Sequence, residues 1–426
     1  MRNILVGMLL LSCMAVSAQQ SKNEIKANRC LSGSNYLAYP GPEGSLTKAP
    51  KGYTPFYISH YGRHGSRYLL GDRDYGKPYK TMLKADSLGK LTTKGKEVLR
   101  NLAAIKAEAA GRDGELTLLG AEQHKGIAHR MYTNFPEVFE GKTHVDAKST
   151  NVIRCILSME NALQQLLIEN PKLEIRHDAS NHDMYYMNQG DKKLEKLKRT
   201  PEAMKALKEF NVKHEMYDRV MGLLFNDEDY WKNKIDARSL NHELWELACN
   251  MQSTELRKSI DLYDLFNEEE IYNNWLMSNA WWYIAYGPSP LSGGVQPYSQ
   301  RNLLHKIISE ADSCIALKHP GATLRYGHDT MVMPLTCLLD LDGLGKQIND
   351  LEQLDDENWR NYNIFPMACN IQFVFYRKKF GDKDIIFKVL RNENEATLPI
   401  KTDIAPYYHW KDFKEYFLKK LADYKE

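Results

Sequence analysis

Two guanidinium groups and an imidazole fall within five residues, Arg63, His64, Gly65, Ser66 and Arg67. Planar guanidinium forks match phosphate oxygens in a bidentate way, and a neutral imidazole nitrogen between them could attack phosphorus. Gly62 and Gly65 allow a tight turn and a close approach of backbone to ligand. The residue types spell an anion site with a nucleophile in it. An isolated R-H-x-x-R is ordinarily a solvated loop, so the weight of this one depends on what the rest of the chain brings to it.

Stepping along the elements that would position these groups, 56–60 reads as a short buried strand ending at the basic loop. The segment 143–148 reads as a second strand. Helical spacing then runs from about Asn151 to Asn170 through Val152, Ile156, Met159, Leu163 and Leu166, and Pro171 stops it. Arg154 falls in the first turn of that helix, where the N-terminus itself favours anions. A strand at 173–176 follows. Three His-Asp dipeptides occur, at His177-Asp178, His182-Asp183 and His328-Asp329. Only the last combines a preceding glycine, a clear strand (322–326) and a following helix (331–339, with Pro334 suiting a first turn). The pairs at 177 and 182 are read as structural. In open parallel sheets ligands sit beyond the carboxyl ends of the strands, so loops carrying His64, Arg154 and His328 are expected to converge. Segments 371–376 and 385–390 read as an antiparallel hairpin.

Arg63-His64-Gly65-Ser66-Arg67 resembles the signature of the histidine phosphatase superfamily, in the branch of histidine acid phosphatases, phytases and multiple inositol polyphosphate phosphatases. Leu116-Thr117-Leu118-Leu119-Gly120-Ala121-Glu122-Gln123-His124 is similar to that family's L-T-x-x-G-x-x-Q-H segment, with a structural role and Thr117 as helix N-cap. Ser149-Thr150-Asn151-Val152-Ile153-Arg154 is similar to its S-T-x-x-x-R, extended by Ser158. Tyr68-Leu69 follows Arg67 where many relatives carry proline. His328-Asp329-Thr330 is closer to the acid phosphatase and phytase pattern than to the H-A-E of the inositol polyphosphate phosphatases.

The resemblance implies an α/β fold, a three-layer core with a mostly parallel central sheet plus an inserted helical cap. It implies a phosphomonoesterase in which His64 forms a phosphohistidine and Asp329 is the general acid. Arg63, Arg67, Arg154 and His328 would bind the phosphoryl group and stabilise its charge. Each charge pair at about 4 Å is worth roughly 4 kcal/mol at an effective dielectric near 20, before desolvation. Burial and a bound dianion are expected to raise the Asp329 pKa, giving an acidic pH optimum. The substrate would be a small phosphorylated molecule, an inositol phosphate, a sugar phosphate or another phosphomonoester. The competing class is a non-catalytic phosphate or inositol phosphate binder, which would need neither His64 nor Asp329.

The chain has 426 residues with 57 Lys and Arg against 55 Asp and Glu, a formal net charge of +2. That balance exerts no global pull on nucleic acid or anionic membrane. Residues 1–18 have the three parts of a signal peptide, so the chain is expected to be exported, periplasmic or secreted; lipoprotein anchoring through Cys13 ranks second. No later run suits a membrane span. Beyond the leader, 19–52 reads as a polar extension draped over the body, 53–180 and 320–426 as the core, and 181–319 as the aromatic-rich helical cap. Six cysteines outside the leader permit disulfides without favouring a pairing. No CxxC pair suggests zinc, His242-Glu243 lacks the second histidine of a zinc protease, and Gly343-Leu344-Gly345-Lys346 lacks P-loop spacing. No metal or cofactor is expected.

Overall fold

The computed structural model of the chain describes residues 20–425; the expected leader and Cys13 lie outside the described residues. Strands β1 (Thr54–Arg63), β2 (His144–Ser149), β3 (Glu174–Asp178), β4 (Gly321–Gly327), β5 (Asn370–Arg377), β6 (Ile386–Arg391), β7 (Asn394–Ala396) and β8 (Tyr408–His409) form a mixed sheet. Its order is β3-β2-β4-β1-β5-β6-β7, with β8 paired to β6. The block β3-β2-β4-β1 is parallel, and β5 and β6 form the expected antiparallel hairpin beside β1.

Side chains alternate across a strand, and in the central strands both faces are covered. Tyr57 and Phe375 face a core with Leu303, Leu335 and Phe413. Those belong to helices that the labels α1–α10 place in chain order: α1 (Asp72–Ser87), α2 (Thr93–Ala109), α3 (Leu118–Asn134), α4 (Ile153–Glu169), α5 (Pro201–His214), α6 (Ala237–Asn250), α7 (Glu268–Tyr286), α8 (Arg301–Ile315), α9 (Asp329–Leu338) and α10 (Trp410–Ala422). Ile58 and Val374 face the opposite core, with Ala128 of α3 and Leu163 of α4. Helices α8, α9 and α10 thus cover one face and α3 and α4 the other, the α/β layering expected. Burial on both sides is why β1, buried from Pro55 to Arg63, opens with the apolar run Pro55 to Ile58.

Between β3 and β4 the described chain contains helices and no strand. Its helices divide their packing: α8 lies on the sheet, whereas Trp245 of α6 and Trp275 of α7 share a separate core with Met82 of α1 and Leu102 of α2. Helix α9 starts at Asp329, two residues before its expected beginning, so Pro334 sits in its second turn. β7 and β8 are too short to have left a periodic signal. All six cysteines within the described residues are free. No helix among the described residues is long and apolar enough to cross a membrane.

The segment before β1 lies against both parts. A 3-10 stretch, Arg29–Tyr36, packs on α6 and α7. Farther on, the Glu43 N–H donates to Asn394 Oδ1 at 2.9 Å and the Thr47 N–H to Glu395 Oε1 at 2.7 Å, which lays the segment along β7.

Candidate active site

The carboxyl ends of β2, β4 and β1 lie side by side, with Ser149 opposite Tyr326 and Arg63 opposite Gly327. The chain leaves each strand already tied to its neighbour: the His64 N–H donates to Gly327 O at 2.9 Å, and the Thr150 N–H to Tyr326 O at 3.0 Å. All six residues singled out from the sequence meet here. Arg63 is the last residue of β1, Arg154 the second of α4, His328 the N-cap of α9 and Asp329 its first residue. The His64 and His328 rings stand edge to face with centroids 5.7 Å apart.

His64 has one ring nitrogen tied to the backbone. Its Nδ1 lies 2.9 Å from Gly65 O; a carbonyl only accepts, so Nδ1 carries the hydrogen and Nε2 keeps its lone pair. Burial, reinforced by Arg63, Arg154 and Arg67, holds the ring well below the ordinary histidine range, so it is neutral at working pH.

The guanidinium groups are only partly satisfied by the protein. Arg63, wholly buried, donates through Nη1 to Asn35 O at 2.6 Å and Phe365 O at 3.0 Å. Its Nη2 forms an ion pair with Asp329 Oδ2 at 2.7 Å, without the alignment of a hydrogen bond. Arg67 donates to Tyr68 O at 2.9 Å and lies over the Tyr36 ring. The half-buried Arg154 reaches Gly114 O at 3.4 Å. The Nε atoms of all three have no hydrogen-bond partner among the described residues. Buried donors are rarely left so, and three cationic ones, close enough for their charges to oppose one another, can receive an anion.

Burial pushes the Asp329 carboxyl up, but Arg63, Arg67 and His328 outweigh it and hold the group below its ordinary value. The rise expected from burial is thus present but outweighed, because the guanidinium groups of Arg63 and Arg67 act on the carboxylate. His328 is brought down to about 4 by burial against the pull of Asp329. It is thus neutral at working pH and offers a ring N–H rather than a charge. Thr150 Oγ1 lies 3.4 Å from its Nε2.

The L-T-x-x-G-x-x-Q-H segment buttresses the basic loop. Gln123 accepts from the Ser66 N–H at 2.8 Å and donates to Ser66 Oγ at 3.0 Å, Thr117 donates to Ser66 O, and Thr117 Oγ1 caps α3 through the Gly120 N–H. Ser158 Oγ accepts from the Gly65 N–H at 3.1 Å. The contact requires glycine on both sides: a Cβ on Gly65 would stand 2.4 Å from Gly120 O, and one on Gly120 would stand 2.2 Å from Ser66 O. Gly65→Ala is expected to cost about 1–3 kcal/mol, read as a lower urea midpoint at unchanged m-value. An unaltered midpoint would mean that the loop and α3 separate freely.

Two contributors carried no sequence signal. Asn35 donates from Nδ2 to Asp329 Oδ2 at 3.3 Å, besides receiving Arg63; Asn250 of α6 donates to Arg67 O at 3.0 Å. His177, exposed, pairs with Glu160, and Asp183 pairs with Lys148, so the other two His-Asp dipeptides have partners of their own. Among the described residues no group of His, Cys, Asp and Glu is placed to hold a metal ion.

The family described as histidine phosphatase superfamily (branch 2) matches residues 62–394. No curated protein sequence matches the chain. Among solved structures, the Bifidobacterium longum multiple inositol polyphosphate phosphatase in complex with inositol hexasulfate is similar at 20% identity and TM-score 0.74, covering 91% of this chain and 97% of its own. The phytase from D. castellii is similar at 14% identity and TM-score 0.61, with 93% and 85% covered. The apo Hafnia alvei phytase is similar at 14% identity and TM-score 0.52, with 87% and 98% covered.

Proposed function

Because the chain belongs to the histidine phosphatase superfamily (branch 2) and is a phosphoric monoester hydrolase, we propose that it acts through a phosphohistidine on His64, with Asp329 as general acid. The observation that carries this reading is the Nδ1–H bond to Gly65 O, which leaves a neutral Nε2 among three guanidinium groups. The Arg63, Arg67 and Arg154 guanidiniums hold the phosphoryl oxygens, and His328 donates a further hydrogen bond. His64 Nε2 attacks phosphorus, the ester P–O bond breaks, and Asp329 gives its proton to the departing oxygen. Asp329, now a carboxylate, takes a proton from water; the resulting hydroxide attacks phosphorus, and the P–N bond breaks to free His64. The cap is carried within 181–319 by α6 and α7, which pack with α1 and α2, while α8 of the same span covers the sheet. Export fits the leader at 1–18 and is checked by cell fractionation.

The test is to mix enzyme with a labelled phosphomonoester in the presence of EDTA and quench in alkali, where a phosphohistidine survives. Label on the peptide containing His64 is expected. Turnover with no label at any time point would refute the covalent route.

Asp329 enters the reaction ionised, so its proton must arrive with the substrate. A phosphomonoester monoanion can transfer its P–OH hydrogen to Asp329 while the arginines take up the dianion. Above the second ionisation of the ester, near pH 6, kcat/KM is expected to fall about tenfold per pH unit. Profiles for two esters that differ in that ionisation should have their alkaline limbs displaced by the same difference. A flat profile through pH 8 would contradict it.

A further inference from the structure

Beyond the arginines, the site opens into a cavity of about 480 Å³. Asp329 and Thr330 line it, as do Trp281 of α7 and Asn35 from the stretch before β1. Asn35 touches both partners of the buried ion pair. Its carbonyl accepts from Arg63 Nη1 at 2.6 Å, and its Nδ2 donates to Asp329 Oδ2 at 3.3 Å. The amide presents its nitrogen there because its oxygen would face another acceptor.

The backbone that sets this residue in place is unusual. Ser34, buried, has φ 57 and ψ −121, a region that residues other than glycine rarely occupy. It is held from two sides: Asn361 Nδ2 donates to its Oγ at 2.6 Å, and the Ser278 hydroxyl of α7 donates to the same oxygen at 3.1 Å. Such conformations persist where surrounding contacts impose them, and they gather at functional sites. Here the imposed turn delivers the next residue to Arg63 and Asp329.

The two oxygens of Asp329 are not equivalent. Oδ2 faces Arg63 Nη2 at 2.7 Å and Asn35 Nδ2 at 3.3 Å, two nitrogens that both carry hydrogen. Oδ1 accepts from the Thr330 N–H at 2.9 Å, and a carboxylate oxygen has a second lone pair. A proton on Oδ2 would point at a guanidinium or at an amide donor. On Oδ1 it can take the lone pair that Thr330 does not use. The Asn35 amide also adds to the pull of Arg63, Arg67 and His328 that keeps the carboxyl below its ordinary value.

Resting on the assignment of Asp329 as general acid, we infer that Asn35 is a positioning residue of the reaction, its amide closing the side of Oδ2 that Arg63 leaves open and so confining the catalytic proton to Oδ1. The proton received from the substrate lodges on Oδ1 and passes from Oδ1 to the departing oxygen as the ester P–O bond breaks, which restores the carboxylate. The main-chain carbonyl of Asn35 separately holds Arg63, so a side-chain substitution leaves that guanidinium anchored.

The experiment is steady-state kinetics of the wild type, Asn35→Leu and Asn35→Ala on an alkyl phosphate and on p-nitrophenyl phosphate, with Asp329→Asn alongside. Leucine keeps the branched shape of asparagine and removes the donor. For the alkyl ester kcat is expected to fall by about 10- to 100-fold in both variants, the scale on which a misplaced reacting group acts, with KM within about twofold. For p-nitrophenyl phosphate, kcat/KM, which reports the step expelling the phenolate, should hold within about twofold, and that turnover also shows a folded site. Thermal melts accompany the kinetics, and the alanine variant decides if leucine does not fit. Equal losses on the two esters, or a loss carried by KM, would overturn the inference by placing Asn35 in the grip on phosphate or in packing. Wild-type kinetics in both variants would overturn it too. A distinction between esters for Asp329→Asn without one at Asn35 removes the inference alone; no distinction for Asp329→Asn removes the general-acid reading and the inference with it.

Discussion

His64→Ala is expected to lower kcat by about 10⁵-fold or more, the scale on which loss of a covalent nucleophile acts, while inorganic phosphate still binds. Neither the serine nor the thiol nearby can substitute for the imidazole. Ser66 is engaged by Gln123 on both its N–H and its hydroxyl. The Cys155 thiol, pushed up to about 11 by burial, donates to Gly327 O and stays protonated at neutral pH. The three arginines remain, so the variant keeps its anion receptor, and phosphate should raise its melting temperature as in the wild type. Steady-state rates combined with a thermal-shift titration separate the two effects. A rate loss below about tenfold would remove His64 as nucleophile, since even a positioning residue commonly costs more.

Asp329→Asn has the second large effect, and its size should depend on the leaving group. For an alkyl phosphate, whose departing alkoxide needs a proton, kcat is expected to fall by about 10²- to 10⁴-fold. For p-nitrophenyl phosphate, whose phenolate leaves unaided, the loss in the first step should be far smaller. The substitution also removes the ion-pair partner of the buried Arg63 Nη2. That guanidinium is then free for phosphate, so KM should fall as kcat falls. Comparing kcat for the two ester classes decides the matter. Equal losses would show that Asp329 serves to position Arg63 and does not deliver the proton.

How much of this was legible beforehand follows from where the information sits. The R-H-G-S-R run is local in sequence and chemically loaded, and Arg154 inherits its place from the strand–turn–helix that holds it, so both were readable. His328-Asp329 was separable from two decoy dipeptides because a buried strand precedes it and a helix follows. The sheet was readable for the same reason, since β1, β4 and β5 are apolar runs buried on both faces. The protonation of Asp329 was not, because the net shift depends on how close Arg63 comes, which spacing does not encode. Asn35 was invisible: its partners lie 28 and 294 residues away, and the polar stretch around it has the composition of a loop. The cavity walls were hidden likewise. An aromatic on a helix looks the same whether it packs inward, as Trp275 does, or stands exposed at a cavity, as Trp281 does.

The lead-in to β1 therefore holds part of the chemistry at the end of an exposed tether. Lys48 and Lys51 are solvent-accessible, while Asn35 upstream of them grips Arg63 and Asp329. Scission at Lys48 would put the two halves of one arrangement on separate peptides and convert a unimolecular enzyme into a fragment-complementation pair. Its specific activity would then decline on dilution, with a concentration dependence that the intact polypeptide lacks.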